Sequence, residues 1–490
     1  VEQYDFAEGT SSRSTKLIHG GIRYLELALR TGNWRHVRLV REALQQRQRV
    51  LASAPHLCWP LWLVTPCRSR WERWYYELGV HLYDQLAGRQ RLGRPRIYRS
   101  GTLQRLFPGL AADIGIGFAD GQFDDARLNW AIIRTAIAHG AIAVNHVAVT
   151  ALEKHHGRVR GVVLRERWTG EQRVVSARVV VNAAGPQADT IRHLADPQAE
   201  PLLQPSAGAH LVLRPRGSLP PVGLLLPHTE DGRVAFLLPW HNRWLLGTTE
   251  RAVTSPSIPD VSTEETAYLL RQLQPYLPQA TELPITARWS GLRPLVRQSA
   301  IPTAQTVREH IIEEHHGLIT LTGGKWTTYR RMAEELLDWL AARNLLHKRH
   351  SALPTSNLFG APSPQGGLTR PYATHFWCEP NLIACDVVQH LQQYGTEAVT
   401  VYHLAHTYPG RLLEGWPFLQ AEVIYAAQQE MACTPLDFLA RRIRLAFLDA
   451  TAAQAALAPT IALMARALHW DSATGQRMMS EAQEQLARLR

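Results

Sequence analysis

The stretch Gly317–Leu340, GLITLTGGKWTTYRRMAEELLDWL, changes character halfway along. Its first residues read as a short apolar strand, Gly323-Gly324-Lys325 as a loop, and the remainder as a helix beginning near Thr327. A second stretch, RVVSARVVVNAAGP (Arg173–Pro186), reads as a strand that ends in a tight turn of small residues. Both are units of an α/β sheet, and they place the chain in the α/β class.

Between these two units the pattern differs. AHLVLRPR (Ala209–Arg216), VAFLLPW (Val234–Trp240) and RWLLGTT (Arg243–Thr249) are short β-type runs broken by Pro and Gly, as in a mainly antiparallel sheet. That segment reads as a second domain inserted into the first. Ser351–Pro371 is rich in Pro, Gly and Ser and reads as a linker. Beyond it lie AEVIYAAQQEMA (Ala421–Ala432), TPLDFLARRIRLAFL (Thr434–Leu448) and APTIALMARAL (Ala458–Leu468), three helical segments. The second opens with Thr434 as N-cap and Pro435 at N1. The expected division is an α/β domain over 1–55, 125–200 and 290–345, an inserted region over 56–124 and 201–289, a linker over 346–372 and a helical domain over 373–490.

The 490 residues are 45% apolar and only 19% charged, enough to bury large cores in two or three domains. No apolar run approaches the ~20 residues that a membrane-spanning helix requires, and no secretory signal is visible. Five cysteines without CxxC spacing argue for reduced thiols on the cytoplasmic side, and against a disulfide framework or a metal site. A formal charge of +11 suits an acidic substrate, an anionic membrane surface or nucleic acid. The arginines are scattered rather than gathered into a reading motif, which excludes nucleic acid as the expected partner. Lys16, Lys154, Lys325 and Lys348 are the only lysines, so an ammonium at Lys16 or Lys325 draws notice.

Near the start, GTSSRSTKLIHGGIRYLE (Gly9–Glu26) is too polar for a core and too patterned for a tail. Val1-Glu2 ahead of it resembles the end of the second strand of a dinucleotide-binding unit, where an acid accepts hydrogen bonds from the adenosine ribose. The Gly-rich turn of such a unit lies ~20 residues before that acid. The reading therefore expects the first strand, the phosphate-cradling loop and the first helix upstream of Val1.

Six motifs carry a family resemblance: DFAEGTSSRSTKLIHGGIRYLE (Asp5–Glu26), DDARLNWA (Asp124–Ala131), VVVNAAGP (Val179–Pro186), WSGLRPL (Trp289–Leu295), GGKWTTYR (Gly323–Arg330) and Ala421–Ala450. In this order, over almost the whole chain, they resemble the FAD-dependent, quinone-reducing glycerol-3-phosphate dehydrogenases. The resemblance implies a discontinuous Rossmann-like FAD-binding domain, an inserted antiparallel β substrate domain and a C-terminal α-helical domain. It implies oxidation of sn-glycerol 3-phosphate to dihydroxyacetone phosphate, with electrons passed from FAD to a membrane quinone. Glu2, Thr10, Ser11, Ser12, Lys16, Gly20, Gly21, Ala184, Gly185, Gly323, Gly324 and Thr327 are the implied FAD contacts. Arg23, Tyr24 and Arg308 are the implied substrate contacts, and His210, Arg293 and Lys325 the implied catalytic set. A phosphomonoester calls for arginine forks and an ammonium, and Lys325, after two glycines at a helix N-terminus, suits the anionic reduced flavin. An imidazole ordinarily titrates near working pH, which makes His210 the implied base; the residues alone also allow a structural histidine.

Two other readings stand beside this one: a glycerol-3-phosphate oxidase that hands electrons to oxygen, and an inactive binding protein derived from the family. Finally, Trp62–Leu86 contains a helix from about Arg70 that sets Trp71, Trp74, Tyr75, Leu78, Leu82 and Leu86 on one face. Aromatic rings beside arginines suit a headgroup layer, so the expected location is peripheral, on the inner face of the cell membrane. The sequence also allows a homodimer.

Overall fold

The structure is a computed structural model, and it describes residues 1–22, 25–26, 31–32, 34–297, 310–346, 357–362 and 384–490. Arg23, Tyr24, Arg308 and most of the expected linker lie outside the described residues.

Hairpin-forming apolar runs build one large sheet of ten strands. Ser206–Leu213 runs antiparallel to both Arg243–Gly247 and Ile285–Arg293, with His210 directly opposite Gly247 on one side and Trp289 on the other. Ala235–Trp240 pairs antiparallel with Arg243–Gly247 and with Val222–Leu226. Val222–Leu226 then runs parallel to Cys58–Cys67, a join no local pattern predicts. Ile114–Phe123 and the short Leu17–Ile18 complete that edge. The sheet is thus mainly antiparallel and draws strands from both sides of the 125–200 segment.

A second sheet has three strands: Val180–Asn182 parallel to Leu318–Gly323, which pairs antiparallel with His310–His315. A third is the antiparallel meander Val147–His155, Arg158–Glu166 and Gln172–Ser176. Arg173–Pro186, read as one strand, therefore holds two. Ala177 donates back to the Arg160 carbonyl at 2.7 Å, and the chain then leaves the meander for the parallel sheet.

Alternation along Ser206–Leu213 decides which side of the large sheet becomes the site. Ala209, Leu211 and Leu213 pack with Leu269, Leu273 and Tyr276 of the Thr263–Leu273 helix region. Val212 points to the other face, where Trp240, Trp289, Phe438, Leu445, Phe447 and Ala453 form the largest core. Gly208 and His210 share that second face by the same parity.

The C-terminal region is helical, with two departures from its periodicity. Thr434–Leu448 is a π-helical turn over Asp437–Arg442 and a short helix over Leu445–Leu448, split by Arg444 at φ 66°. Thr434 does cap its start, its Oγ1 accepting from Asp437 N at 3.2 Å. The next helix spans Ala450–Leu468 rather than starting near Ala458, because Asp449 caps it at Ala452 N and Pro459 is carried inside. The helix near Arg70 spans Arg70–Ala87, capped by Ser69 at Glu72 N (3.1 Å). No helix among the described residues is long and apolar enough to cross a membrane.

Candidate active site

A cavity of about 1860 Å³ lies between the large sheet, the parallel sheet and the C-terminal helices. Drug-sized ligands occupy about 300–1,000 Å³, so this space suits a dinucleotide with a small substrate beside it. Its wall is tied together by the N-terminal loop. Thr10 Oγ1 donates to the Leu292 carbonyl (2.6 Å), Arg13 Nη1 to the Ser290 carbonyl (3.3 Å), and Trp326 Nε1 to the Ser11 carbonyl (2.9 Å). The loop at 9–15, the strand end at 290–293 and the Gly-Gly-Lys turn are therefore one assembly.

Of the sequence-predicted residues, Glu2, Thr10, Ser11, Gly21, Ala184, Gly185, His210, Arg293, Gly323, Gly324, Lys325 and Thr327 all line the cavity. Glu2 is set at its place by backbone bonds to Val144 and Val147, and its carboxylate accepts from Tyr4 N at 3.2 Å. Burial raises the Glu2 pKa above the ordinary carboxylate value. Gly323 and Gly324 both adopt positive φ (85° and 75°), which lets the chain turn sharply between strand and helix. The α-helix then runs over Tyr329–Ala342 after a single 3₁₀ turn at Trp326–Thr328.

Ser12, Lys16 and Gly20 are not on the cavity wall. Gly20 packs against Leu44, and its N–H donates to Tyr83 Oη at 2.7 Å. Lys16 is fully buried behind the wall, where its Nζ donates to both oxygens of Asp125 (2.7 and 2.9 Å) and to the Ser12 carbonyl (2.7 Å). A cation so placed serves the protein rather than a ligand. Burial pulls the Lys16 pKa down to about 7 against the pull of Asp125.

His210 sits at the centre of the site. Its ring stacks on Trp289 (centroids 4.2 Å apart, 27° between planes), and Nε2 lies 2.9 Å from Thr15 Oγ1. Nδ1 has no hydrogen-bond partner among the described residues. Burial, then the charges of Arg293 and Lys16, hold its pKa well below 6.5, so the imidazole is neutral and able to accept a proton. Two glycines make the arrangement feasible. A Cβ on Gly247 would stand 2.9 Å from His210 Nε2 and 3.0 Å from Cγ; one on Gly208 would stand 2.6 Å from Arg293 Nη1 and 2.7 Å from Cζ. Arg293 is held there by the Ala207 carbonyl (3.3 Å), Thr248 Oγ1 (3.0 Å) and the Thr249 carbonyl (3.2 Å), all of which accept from its guanidinium.

Residues 1–330 match the FAD dependent oxidoreductase family, and residues 319–475 match the C-terminal domain of alpha-glycerophosphate oxidase. The mitochondrial glycerol-3-phosphate dehydrogenase SDP6 of Arabidopsis thaliana is 37% identical over 509 residues, 99% of this chain and 81% of that protein. The chain belongs to the FAD-dependent glycerol-3-phosphate dehydrogenase family. The Homo sapiens mitochondrial glycerol-3-phosphate dehydrogenase is also 37% identical, over 99% of this chain and 69% of its own. Among solved structures, the glycerol-3-phosphate dehydrogenase from Bacillus halodurans complexed with FAD superposes with a TM-score of 0.77 at 26% identity, covering 100% of this chain and 89% of that one. L-alpha-glycerophosphate oxidase from Mycoplasma pneumoniae, at 16% identity and a TM-score of 0.51, shares the fold over 73% of this chain.

FAD is the family's cofactor, and the residues present fit it. Gly185, at φ 56°, has open space where a Cβ would stand, and Ser290 Oγ is buried at the wall without a partner among the described residues. Both are features of a surface shaped for a bound group. Sequence reasoning missed Thr15, Asp125, Gly208 and Arg444. Asp125 had a visible signal, an acid pair in DDARLNWA at the start of an otherwise apolar helix. Arg444 had none, since its partners in the loop, Ser12 and Asp125, are more than 300 positions away.

Proposed function

We propose that the protein oxidises sn-glycerol 3-phosphate to dihydroxyacetone phosphate, with FAD as hydride acceptor, and passes the electrons to a membrane quinone. The observation that carries this reading is a buried His210, its pKa lowered by burial and by the charge of Arg293, on a dinucleotide-sized cavity. FAD, when bound, accepts the hydride that leaves the carbinol carbon. The rest is done by the chain's own residues. His210 takes the hydroxyl proton; burial and the nearby cations keep its ring unprotonated beforehand. Arg293 and Lys325 supply fixed cations for the phosphate dianion and for negative charge developing on the ring system. Glu2 stands where a ribose acid is needed, and Thr10, Ser11, Ala184, Gly185 and the Gly323–Thr327 turn offer hydroxyls and main chain along the cavity. Arg23, Tyr24 and Arg308, which the resemblance assigns to the substrate, lie outside the described residues.

The quinone and the membrane belong to the same proposal, and the Arg70–Ala87 helix supports them. Trp71, Trp74 and Leu78 are 77%, 72% and 60% exposed, while Leu82 and Leu86, further along the expected face, pack against the protein core. The helix is thus anchored at its C-terminal half and offers its aromatic N-terminal half outward. Rings in a setting of Arg68, Arg70 and Arg73 suit an anionic headgroup layer. The protein would lie on the inner face of the cell membrane.

The test is anaerobic addition of sn-glycerol 3-phosphate to the purified flavoprotein. The flavin band should bleach with this substrate and not with glycerol, and a soluble quinone should restore it. Rapid recovery with oxygen alone would favour the oxidase reading, and absence of bleaching would favour an inactive binder.

A further inference from the structure

The loop that carries Thr15 is gripped from behind by ionic groups that the reaction does not itself require. Asp125 is fully buried; its Oδ2 accepts from Ser14 N (3.1 Å), Ser14 Oγ (2.7 Å) and Lys16 Nζ (2.7 Å). Its Oδ1 accepts from Lys16 Nζ (2.9 Å) and from Arg444 Nη2 (3.2 Å). Arg444, itself fully buried, comes from the C-terminal helical region and also donates to the Ser12 carbonyl at 2.9 Å. The main chain is therefore fixed on both sides of Thr15, with Lys16 held at φ 61°, a left-handed conformation unusual for a residue with a side chain.

The cluster is balanced in charge. Lys16 and Arg444 face Asp125 and Asp124, the latter 3.9 Å from Arg444 Nε. A balanced set of buried ions is a weak source of net stability, since apolar residues of equal volume serve as well. What it supplies is definite geometry, and the group it places is the Thr15 hydroxyl, 2.9 Å from His210 Nε2.

We propose that Asp125, clamped by Lys16 and by Arg444, is a positioning residue for the reaction: it presents Thr15 Oγ1 to His210 Nε2 and so fixes the orientation of that imidazole. A neutral imidazole has one donor and one acceptor nitrogen. Among the described residues the Thr15 hydroxyl, which can donate to or accept from Nε2, is the hydrogen-bonding side chain that holds the ring. The ring cannot slide to compensate, because Trp289 covers one face and Gly247 lies against its edge. By this route the C-terminal region is part of the catalytic centre. The inference rests on His210 as the proton acceptor.

The experiment uses the full flavin-loaded protein and measures the limiting rate and half-saturation of anaerobic bleaching by sn-glycerol 3-phosphate. Thr15→Val should slow the limiting rate about tenfold or more, with half-saturation changed by less than about threefold. Thr15→Ser should restore the rate to within about threefold, and flavin absorbance per chain and melting temperature should stay unchanged in both. Asp125→Asn should also slow bleaching, and adding Thr15→Val to it should slow it by no more than about twofold further, since both act through one path. If Asp125→Asn fails to hold flavin, the contrast of Thr15→Val with Thr15→Ser decides. A wild-type rate in Thr15→Val, alongside a slow His210→Ala, overturns the positioning role and leaves the base in place. A wild-type rate in His210→Ala removes the base assignment, and this inference with it.

Discussion

Gly208 is a residue with no chemistry of its own, and its replacement by alanine tests the substrate pocket. The added Cβ would stand 2.6 Å from Arg293 Nη1 and 2.7 Å from Cζ, against an ordinary carbon contact of about 3.5–4.0 Å. The guanidinium must therefore move by roughly 1 Å, the scale at which misplacement in an active site costs on the order of 100-fold. A second estimate agrees. Loss of the charge-assisted bonds that anchor Arg293 to Thr248 and Thr249 is worth about 1.5–3 kcal/mol, or roughly ten- to 150-fold in kcat/KM. Folding should not suffer, because alanine in a strand is no worse than glycine and the displaced group is the far end of a flexible side chain. The assay is steady-state kcat/KM for sn-glycerol 3-phosphate, with flavin content and melting temperature as controls. Gly208 also lines the cavity, so the variant is made in the Arg293→Leu background too. If Gly208→Ala acts by moving Arg293, it should add less than about twofold there. A folded Gly208→Ala with kcat/KM within twofold of wild type, or full additivity with Arg293→Leu, would refute the reasoning.

Lys325→Met should lower kcat/KM by about ten- to a hundredfold without shifting the melting temperature, as removal of one charge-assisted contact predicts. His210→Ala should slow flavin reduction at saturating substrate. The pH dependence has a definite sign. Because burial, Arg293 and Lys16 hold His210 below 6.5, the acid limb of the reduction rate should lie below pH 6.5, and Arg293→Leu, which removes a cation, should move it upward. The same depression means that the unfolded chain binds a proton below pH 6.5 that the folded chain refuses. This histidine's share of the stability should fall by about 1.4 kcal/mol per pH unit in that range, read by denaturant titration. Flotation with anionic liposomes should weaken with salt and weaken further in a folded Trp71→Glu, Trp74→Glu variant; equal flotation would assign the exposed helix another role.

Much of this was legible in the sequence because it is local. The strand, glycine turn and helix at 317–340, the cap at Thr434 and the amphipathic helix from Arg70 are all set by neighbours within a few residues, and the structure has them. Twelve of the fifteen described residues named from the sequence reach the cavity. The failures are non-local. Lys16 looks like a ligand contact in one dimension, and only the fold shows Asp125, 109 residues on, taking all of its donors together with Ser12. The segment Ala458–Leu468 reads as helical on its own, yet Asp449 caps the true start and Pro459 is carried inside. The parallel join of Val222–Leu226 to Cys58–Cys67 within the large sheet leaves no mark in either strand.

The π-helical turn at Asp437–Arg442 has a consequence for biosynthesis. Arg442 donates to Asp5 Oδ2 at 2.7 Å, and Arg444 reaches Ser12 and Asp125 at 2.9 and 3.2 Å. Until residues 437–444 leave the ribosome, Asp5 and Asp125 lack cations they face in the finished fold, so the N-terminal loop cannot settle into its final path. At about 5–20 residues per second, more than 400 residues of translation leave that loop waiting for roughly 20–90 seconds. Closing so long a span is entropically late as well as temporally late. The N-terminal wall of the flavin pocket thus gains these bonds only after Arg444 is made, and a chain that stops short of Arg444 lacks them.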